Sequence, residues 1–261
     1  MDYQSIFERV ESKYILTGKQ YEALMEKIHD RIQPDMYPHS NISSVYFDTD
    51  DYQLVRGALA GNGYREKLRL RSYGLKDDNS EVFLELKKKY LGVTYKRRQA
   101  LSYRDAMNYL LFGNKTCSSQ IMKEIDYLFS KHEDLKPKAL IRYQRDCFVS
   151  SRDPSVRITF DYDISYSLKN LLLKNNEPEE KLTDADTIIM EIKCLNSMEL
   201  WLASRLDELS IYPGNFSKYG QIYTNRIMKG VKTCLNSYSH QYIHQPSHLR
   251  YSSSVQLHQS F

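Results

Sequence analysis

Between Tyr64 and Arg98 a charge falls on nearly every second position: Lys67, Arg69 and Arg71, then Glu85, Lys87 and Lys89, then Lys96 and Arg98. The intervening positions hold Leu68, Leu70, Leu84, Leu86, Val93 and Tyr95. Successive side chains on a strand point to opposite faces, so the pattern predicts three consecutive strands with one cationic and one apolar face. The same period recurs at Arg9, Glu11 and Lys13 against Val10, Ser12 and Tyr14, and at Ile141, Tyr143 and Arg145. It returns at Arg157, Thr159 and Asp161 against Val156, Ile158 and Phe160, and at Glu191 and Lys193 against Ile188, Met190 and Ile192. Val45 to Phe47 adds a strand that ends at the turn-forming cluster Asp48-Thr49-Asp50-Asp51.

Helical spacing lies between these segments. Thr17 and Gln20 form a capping box before the stripe Tyr21, Leu24, Met25 and Ile28. Tyr52 to Leu59 reads as a helical turn carrying Arg56, and Pro34 and Pro38 mark a loop. Ser102 to Phe112, with a Ser N-cap, and Gln120 to Lys131 are amphipathic helices; Met198 to Leu209 and a short segment ending at Ile227 are helical too. A folded domain is expected over residues 1–230. From Val231 the chain is rich in Ser, His, Gln and Tyr without period, so residues 231–261 are expected to form a loosely ordered tail.

Seven or eight strands thus share a charged face, and the helices can cover the apolar one. A small barrel filled by its own side chains is apolar inside, so the pattern predicts the inverse. The expected fold is α+β: a closed antiparallel β-barrel of about eight strands forming a polar tunnel, with helices packed outside. A solvated basic sheet is the alternative, and it accounts poorly for so many Arg and Lys at alternating sites.

Composition narrows the function. A net charge of only +4 makes the strand cations a local concentration rather than the general basicity of a nucleic-acid coat. Nor are aromatic platforms clearly interleaved with the basic strands, as RNA binding requires: Tyr95 lies on the face opposite Lys96. No nucleic-acid partner is expected. Cys117, Cys147, Cys194 and Cys234 form no C-x-x-C pair, which argues for a reducing compartment. No apolar run approaches the roughly 18 residues of a membrane span, and the N-terminus lacks the apolar core of a signal peptide. A soluble, cytoplasmic protein is expected.

In order, the segments FERVESKY, VYFDT, KLRLRSYG, EVFLELKKK with GVTYKRR, YQRDCF, VRITFDYDI, IIMEIK and NFSKYG resemble VTC-domain polyphosphate polymerases of the triphosphate tunnel superfamily. The resemblance runs from Phe7 to Met228. It implies an eight-stranded tunnel whose cationic lumen binds the phosphates of ATP and passes a growing inorganic polyphosphate chain, with Mn²⁺ or Mg²⁺ assisting transfer. It also implies a separate membrane protein as a possible partner. Arg69, Arg71, Lys87, Arg145 and Arg157 match the family's phosphate-binding positions, and Lys13 and Lys96 match lumen lysines. Lys218 matches a motif lysine beside Ser217, a phosphate hydrogen-bond donor; Asn215 stands where some family members have a second lysine. Glu191 matches the metal-ligand acid, with Glu11 and Glu85 as weaker candidates that otherwise pair with neighbouring Arg.

The residue types suit the chemistry, because guanidinium groups grip phosphate oxygens bidentately and Lys adds point charges. Tyr143 either contacts a base or walls the tunnel. Arg56 or Arg65 offers a further phosphate contact, with register open, and Lys67, Lys89 and Arg98 stand at a mouth or are solvated. His29, His39 and His132 show no partner pattern.

Two rivals to polymerisation are kept. A CYTH-type phosphohydrolase or cyclase carries E-x-E-x-K near its start, whereas here Arg9-Val-Glu11-Ser-Lys13 replaces the first acid with a cation. A non-catalytic module binding polyphosphate or inositol phosphates gains nothing from Glu191 in its cationic wall.

Overall fold

The computed structural model describes residues 9–74, 77–91, 93–174, 179–195 and 197–229. The chain divides into two compact units, residues 1–222 and 223–261. In the second, the described residues 223–229 include a π-helical turn at Tyr223–Ile227; the expected tail at 231–261 lies outside the described residues.

The first unit is built on β1 (Arg9–Thr17), β2 (Ile32–Asp48), β3 (Tyr64–Tyr73), β4 (Glu81–Tyr90), β5 (Val93–Ser102), β6 (Lys136–Ser150), β7 (Arg157–Ser167), β8 (Glu180–Lys181) and β9 (Thr187–Leu195). Its helices are α1 (Gly18–Ile28), α2 (Gln53–Leu59), α3 (Tyr103–Phe112), α4 (Gln120–Lys131), α5 (Leu200–Glu208) and α6 (Lys218–Ile222). Thr17 and Gln20 make the expected reciprocal capping box of α1 and Ser102 the expected cap of α3, while Ser119 caps α4.

All pairings are antiparallel, in the order β1-β9-β7-β6-β2-β3-β4-β5, with β8 paired to β7. The outer face carries two apolar layers. Leu68, Leu70, Leu84 and Leu86 are buried against Tyr103, Ala106 and Tyr109 of α3 and Met122, Ile125 and Leu128 of α4. Tyr14, Leu16, Ile158, Phe160, Met190 and Ile192 are buried with Leu24 and Ile28 of α1 and Leu202 and Leu206 of α5. The helices therefore lie on the outside, as their amphipathic stripes require.

The expected closed barrel is not formed. Nine strands make an open, curled sheet whose terminal strands, β1 and β5, do not pair with each other. The curl is deep, since Lys13 on β1 lies close enough to Lys67 on β3 to oppose its charge. The outer edge of β1 is already occupied: Tyr14 bridges Pro213, and the Gly214 N–H donates to the Lys13 carbonyl at 2.7 Å. A strand edge capped in this way has no ladder groups to offer β5 at that point.

A second correction concerns residues 34–38, expected as a loop. They lie inside β2, where the register against β6 shifts between Pro34 and His39. Proline lacks an N–H, and a bulge is where a strand tolerates that loss. Val93 and Tyr95 keep the predicted face but remain exposed. The acidic segment before Thr187 supplies the two-residue β8.

At the end of β2, buried Asp48 accepts hydrogen bonds from the N–H groups of Thr49, Leu54 and Val55 at 2.9, 2.9 and 3.0 Å. It thereby anchors α2 to the sheet. Burial raises the Asp48 pKa, and these donors only partly offset it.

Leu86, fully buried under α3 and α4, tests the outer layer. Leu86→Ala is expected to lower unfolding free energy by about 2–5 kcal/mol in urea titration. A loss under about 1 kcal/mol contradicts the helix-on-sheet packing.

Candidate functional site

The inner face is organised by cross-strand register. Arg69 faces Glu85, and Glu85 faces Arg98. One residue pair further along the sheet, Lys67 faces Lys87, and Lys87 faces Lys96; beyond that, Arg65 faces Lys89. The first row is partly compensated internally. Glu85, 3% exposed, receives Arg69 Nε at 2.7 Å on one oxygen and Arg98 Nε at 2.7 Å on the other, while Arg71 Nε lies 3.7 Å away. Burial opposes ionisation of Glu85, but Arg69, Arg71, Lys96 and the Arg98 hydrogen bond outweigh it and bring the carboxyl down to about 2.

The lysine rows have no such compensation. Among the described residues, Arg65, Lys67, Lys87, Lys89 and Lys96 form no ion pair, and the buried Arg65 Nε has no hydrogen-bond partner. Burial lowers the pKa of Lys67, and Lys13, Lys87 and Arg69 lower it further against the opposing Tyr46. Lys96 is lowered by burial and by Arg98, Arg69 and Arg71, with Glu85 opposing. Like charges directly opposite one another destabilise a sheet, so these rows carry a local excess of positive charge.

A second cluster forms where β6, β7 and α6 meet. Asp161, 1% exposed, accepts Arg145 Nε at 2.5 Å and Nη2 at 2.8 Å, and Lys218 Nζ at 2.5 Å. Burial opposes its ionisation, yet Lys218 and Arg145 pull its pKa down. Lys218 Nζ and the Arg145 guanidinium lie 4.2 and 5.4 Å from the centre of the Tyr143 ring. Arg71, 5% exposed, spans the two clusters: its nitrogens donate to Ser44 Oγ at 3.2 Å, the Tyr73 hydroxyl at 3.4 Å and the Tyr143 hydroxyl at 3.3 Å. Arg71 is thus fixed mainly by hydrogen bonds to neutral groups, with Glu85 as its ion-pair neighbour.

Tyr46 links the clusters as well. Its hydroxyl accepts from Arg69 Nη1 at 3.1 Å, and its ring stacks on Tyr219 of α6 at 5.2 Å. Burial alone raises a phenol pKa, but Arg69, Arg71 and Lys218 bring Tyr46 down to about 7.

Lys13 Nζ reaches Glu11 at 3.9 Å and the Phe216 carbonyl at 3.3 Å, and in register it faces Glu191. Ser217 Oγ accepts from the Gly220 N–H at 3.2 Å, which fixes it at the start of α6. Glu191 pairs with Lys193 at 2.5 Å. Burial opposes its ionisation, but Lys193, Lys13 and Arg145 hold its pKa well below the ordinary carboxylate range.

The described residues contain no group of three or more His, Cys, Asp or Glu side chains that would hold a metal. They therefore offer no preformed carboxylate cage. Glu191 fits an ion carried in largely by phosphate oxygens, for which one protein carboxylate suffices.

Not every sequence candidate joins the clusters. Among the described residues, Arg157 pairs with Asp35 at 2.7 Å, and its side chain is 45% exposed. Arg56 lies on α2 and pairs with Asp51 at 3.3 Å. Tyr143 walls the site beneath three cations and is 5% exposed. Sequence reasoning gave no role to Asp161 or Tyr46. Asp161 was legible by parity with Thr159, but its partners come from β6 and α6, which no local pattern connects.

Glu85 provides a pH test. Its folded pKa lies below the ordinary 4.5, so its contribution is complete above that pH and is lost as pH falls toward about 2. Wild type is expected to exceed Glu85→Gln in stability by about 3 kcal/mol at neutral pH, with the gap closing in denaturant titrations as the pH is lowered. A gap independent of pH contradicts the assignment.

A family model described as the VTC domain matches residues 8–225. No curated protein matches the chain. Among solved structures, a putative adenylate cyclase from Bacillus halodurans aligns with a TM-score of 0.52 at 16% identity, covering 80% of this chain and 93% of that one. A second putative adenylate cyclase, from Vibrio parahaemolyticus, aligns with a TM-score of 0.42 at 13% identity over 82% of this chain and 97% of its own. At this identity the Bacillus halodurans similarity is one of fold alone. With the family model spanning most of its length, the chain belongs to the VTC-domain family.

Proposed function

We propose that this protein transfers the γ-phosphoryl group of ATP to a growing inorganic polyphosphate chain along its cationic inner face. The observation that carries this reading is the set of five cations, Arg65, Lys67, Lys87, Lys89 and Lys96, without ion-pair partners among the described residues. Strands three to five place them side by side, which suits a ligand with repeating negative charge.

In this reading Arg71, Arg145 and Lys218 hold the triphosphate, with Tyr143 and Ser217 beside them, and Arg69 is kept in plane by Glu85. Lys13, Lys87 and Lys96 face the path of the polymer. A terminal oxyanion of the acceptor attacks the γ-phosphorus; the bond from that phosphorus to the bridging oxygen breaks, and its electron pair leaves with ADP. The acceptor oxygen is already ionised, so no general base is required, and positioning with charge neutralisation carries the rate. Glu191 is the carboxylate that would hold Mn²⁺ or Mg²⁺, and the ion would supply positive charge against that of the phosphates. Arg157, paired to Asp35, stands at the margin of this machinery.

No helix among the described residues is long and apolar enough to cross a membrane, and a separate membrane protein as recipient of the polymer is part of the proposal. The fold shared with a putative adenylate cyclase supports a second reading, a CYTH-type phosphohydrolase or cyclase. Arg9, standing where that type carries an acid, weighs against it.

Purified protein incubated with ATP and Mn²⁺ is expected to give a polyphosphate ladder on a stained polyacrylamide gel. Glu191→Gln is expected to abolish the ladder while still binding tripolyphosphate without metal. Free phosphate or cyclic nucleotide without a ladder supports the CYTH type instead, and binding without turnover supports a sensor. A ladder that persists in Glu191→Gln removes the metal assignment.

A further inference from the structure

One end of the inner face is aromatic, and phosphate chemistry does not account for it. Tyr73 follows Arg71 on the same face of β3, and Phe83 faces Arg71 across the β3–β4 ladder. The two rings meet edge to face with centres 5.7 Å apart. The Arg98 guanidinium lies 4.4 Å from the centre of the Phe83 ring and 5.7 Å from that of Tyr73. It donates from Nη2 to the Tyr73 hydroxyl at 2.9 Å and from Nε to Glu85 at 2.7 Å. Both hydrogen bonds and the ring contact fix the plane of Arg98. Tyr73 is nevertheless 42% exposed, with no helix of the outer layers over it.

A large aromatic surface held open beside a planar, immobilised cation is what a nucleobase stacks on. Phosphate gains nothing from it. The shelf is continuous with the phosphate-binding groups, because Arg71 donates to the Tyr73 hydroxyl and, from another nitrogen, to Tyr143 beneath Lys218 and Arg145. Arg71 and Lys67 are four residues apart on β3, about 13 Å along the strand. A ligand with its base at Tyr73 therefore has its phosphates over Arg71 and the acceptor chain over the lysine rows.

We propose that Tyr73, Phe83 and Arg98 form a shelf that stacks the base of the nucleoside triphosphate, giving the inner face a nucleotide end and a polymer end. This rests on the ATP-driven reading above. It makes Tyr73 a residue that separates nucleotides from base-free polyphosphates, while Tyr143 is a wall.

The test is calorimetric titration without metal, using ATP and inorganic tripolyphosphate as separate probes. Tyr73→Leu is expected to weaken ATP binding roughly tenfold, the size of one base–aromatic stack, while tripolyphosphate binding stays within about twofold of wild type. Tyr73→Phe, which keeps the ring, is expected to retain ATP affinity. Equal losses for both ligands in Tyr73→Leu overturn the shelf, since the ring then only supports Arg71 and Arg98. Unchanged ATP affinity in Tyr73→Leu overturns it too. Wild-type protein that binds neither probe, or tripolyphosphate alone, overturns the ATP-driven reading and the shelf with it, whereas wild-type ATP binding that Tyr73→Leu leaves unchanged, or weakens equally with tripolyphosphate, overturns the shelf alone.

Discussion

The antiparallel register of β3, β4 and β5 sets one lysine against another, and the rest of the site follows from that. Once Leu68 is opposite Leu86 and Leu86 is opposite Arg97, Lys67 must face Lys87, and Lys87 must face Lys96. Shifting the register by one residue would turn every leucine to the inner face. The energetics make the choice clear. Exposed like-charge neighbours cost on the order of 1 kcal/mol or less each, whereas each fully buried leucine contributes about 1.5–3 kcal/mol. Four such leucines under α3 and α4 hold the lysines in repulsive contact.

The neighbouring row shows what the same geometry does when charges complement. Glu85 clamps Arg69 and Arg98 and gives up its proton affinity in the process. Asp161 does the same for Arg145 and Lys218. These buried carboxylates orient guanidinium groups at the cost of part of their charge, while the lysine rows keep theirs. Cations oriented by a buried carboxylate and cations without one are thus distinguished by partner rather than by residue type, and the proposed reading uses the first to hold the triphosphate and the second to line the polymer's path. Openness matters as well: with the β1 edge capped by Pro213 and Gly214, the curled sheet keeps an accessible inner face.

Much of this was legible in the sequence, and for physical reasons. Parity revealed which residues share a face, because the strand period is fixed at two. Capping chemistry located α1 and α3, and amphipathic spacing located α4. What parity could not supply was anything set by distant chain segments. Closure was overpredicted because the residues that cap β1, Pro213 and Gly214, lie about two hundred positions away and carry no strand pattern. Pro34 and Pro38 suggested a loop because their accommodation depends on a bulge against β6. Asp161 shared its face with the candidate cations but found its role only through Arg145 and Lys218. Tyr73 looked like any strand tyrosine until Arg98 and Phe83 were placed around it.

The central claim is that the inner face holds cations in unfavourable proximity that a polyanion relieves. The most direct measurement is the melting temperature of the wild-type protein with tripolyphosphate, against sodium chloride at matched ionic strength. The account predicts a melting temperature that rises with the logarithm of tripolyphosphate concentration, as ligand linkage requires, with a much smaller response to chloride. Equal responses to the two salts would contradict it.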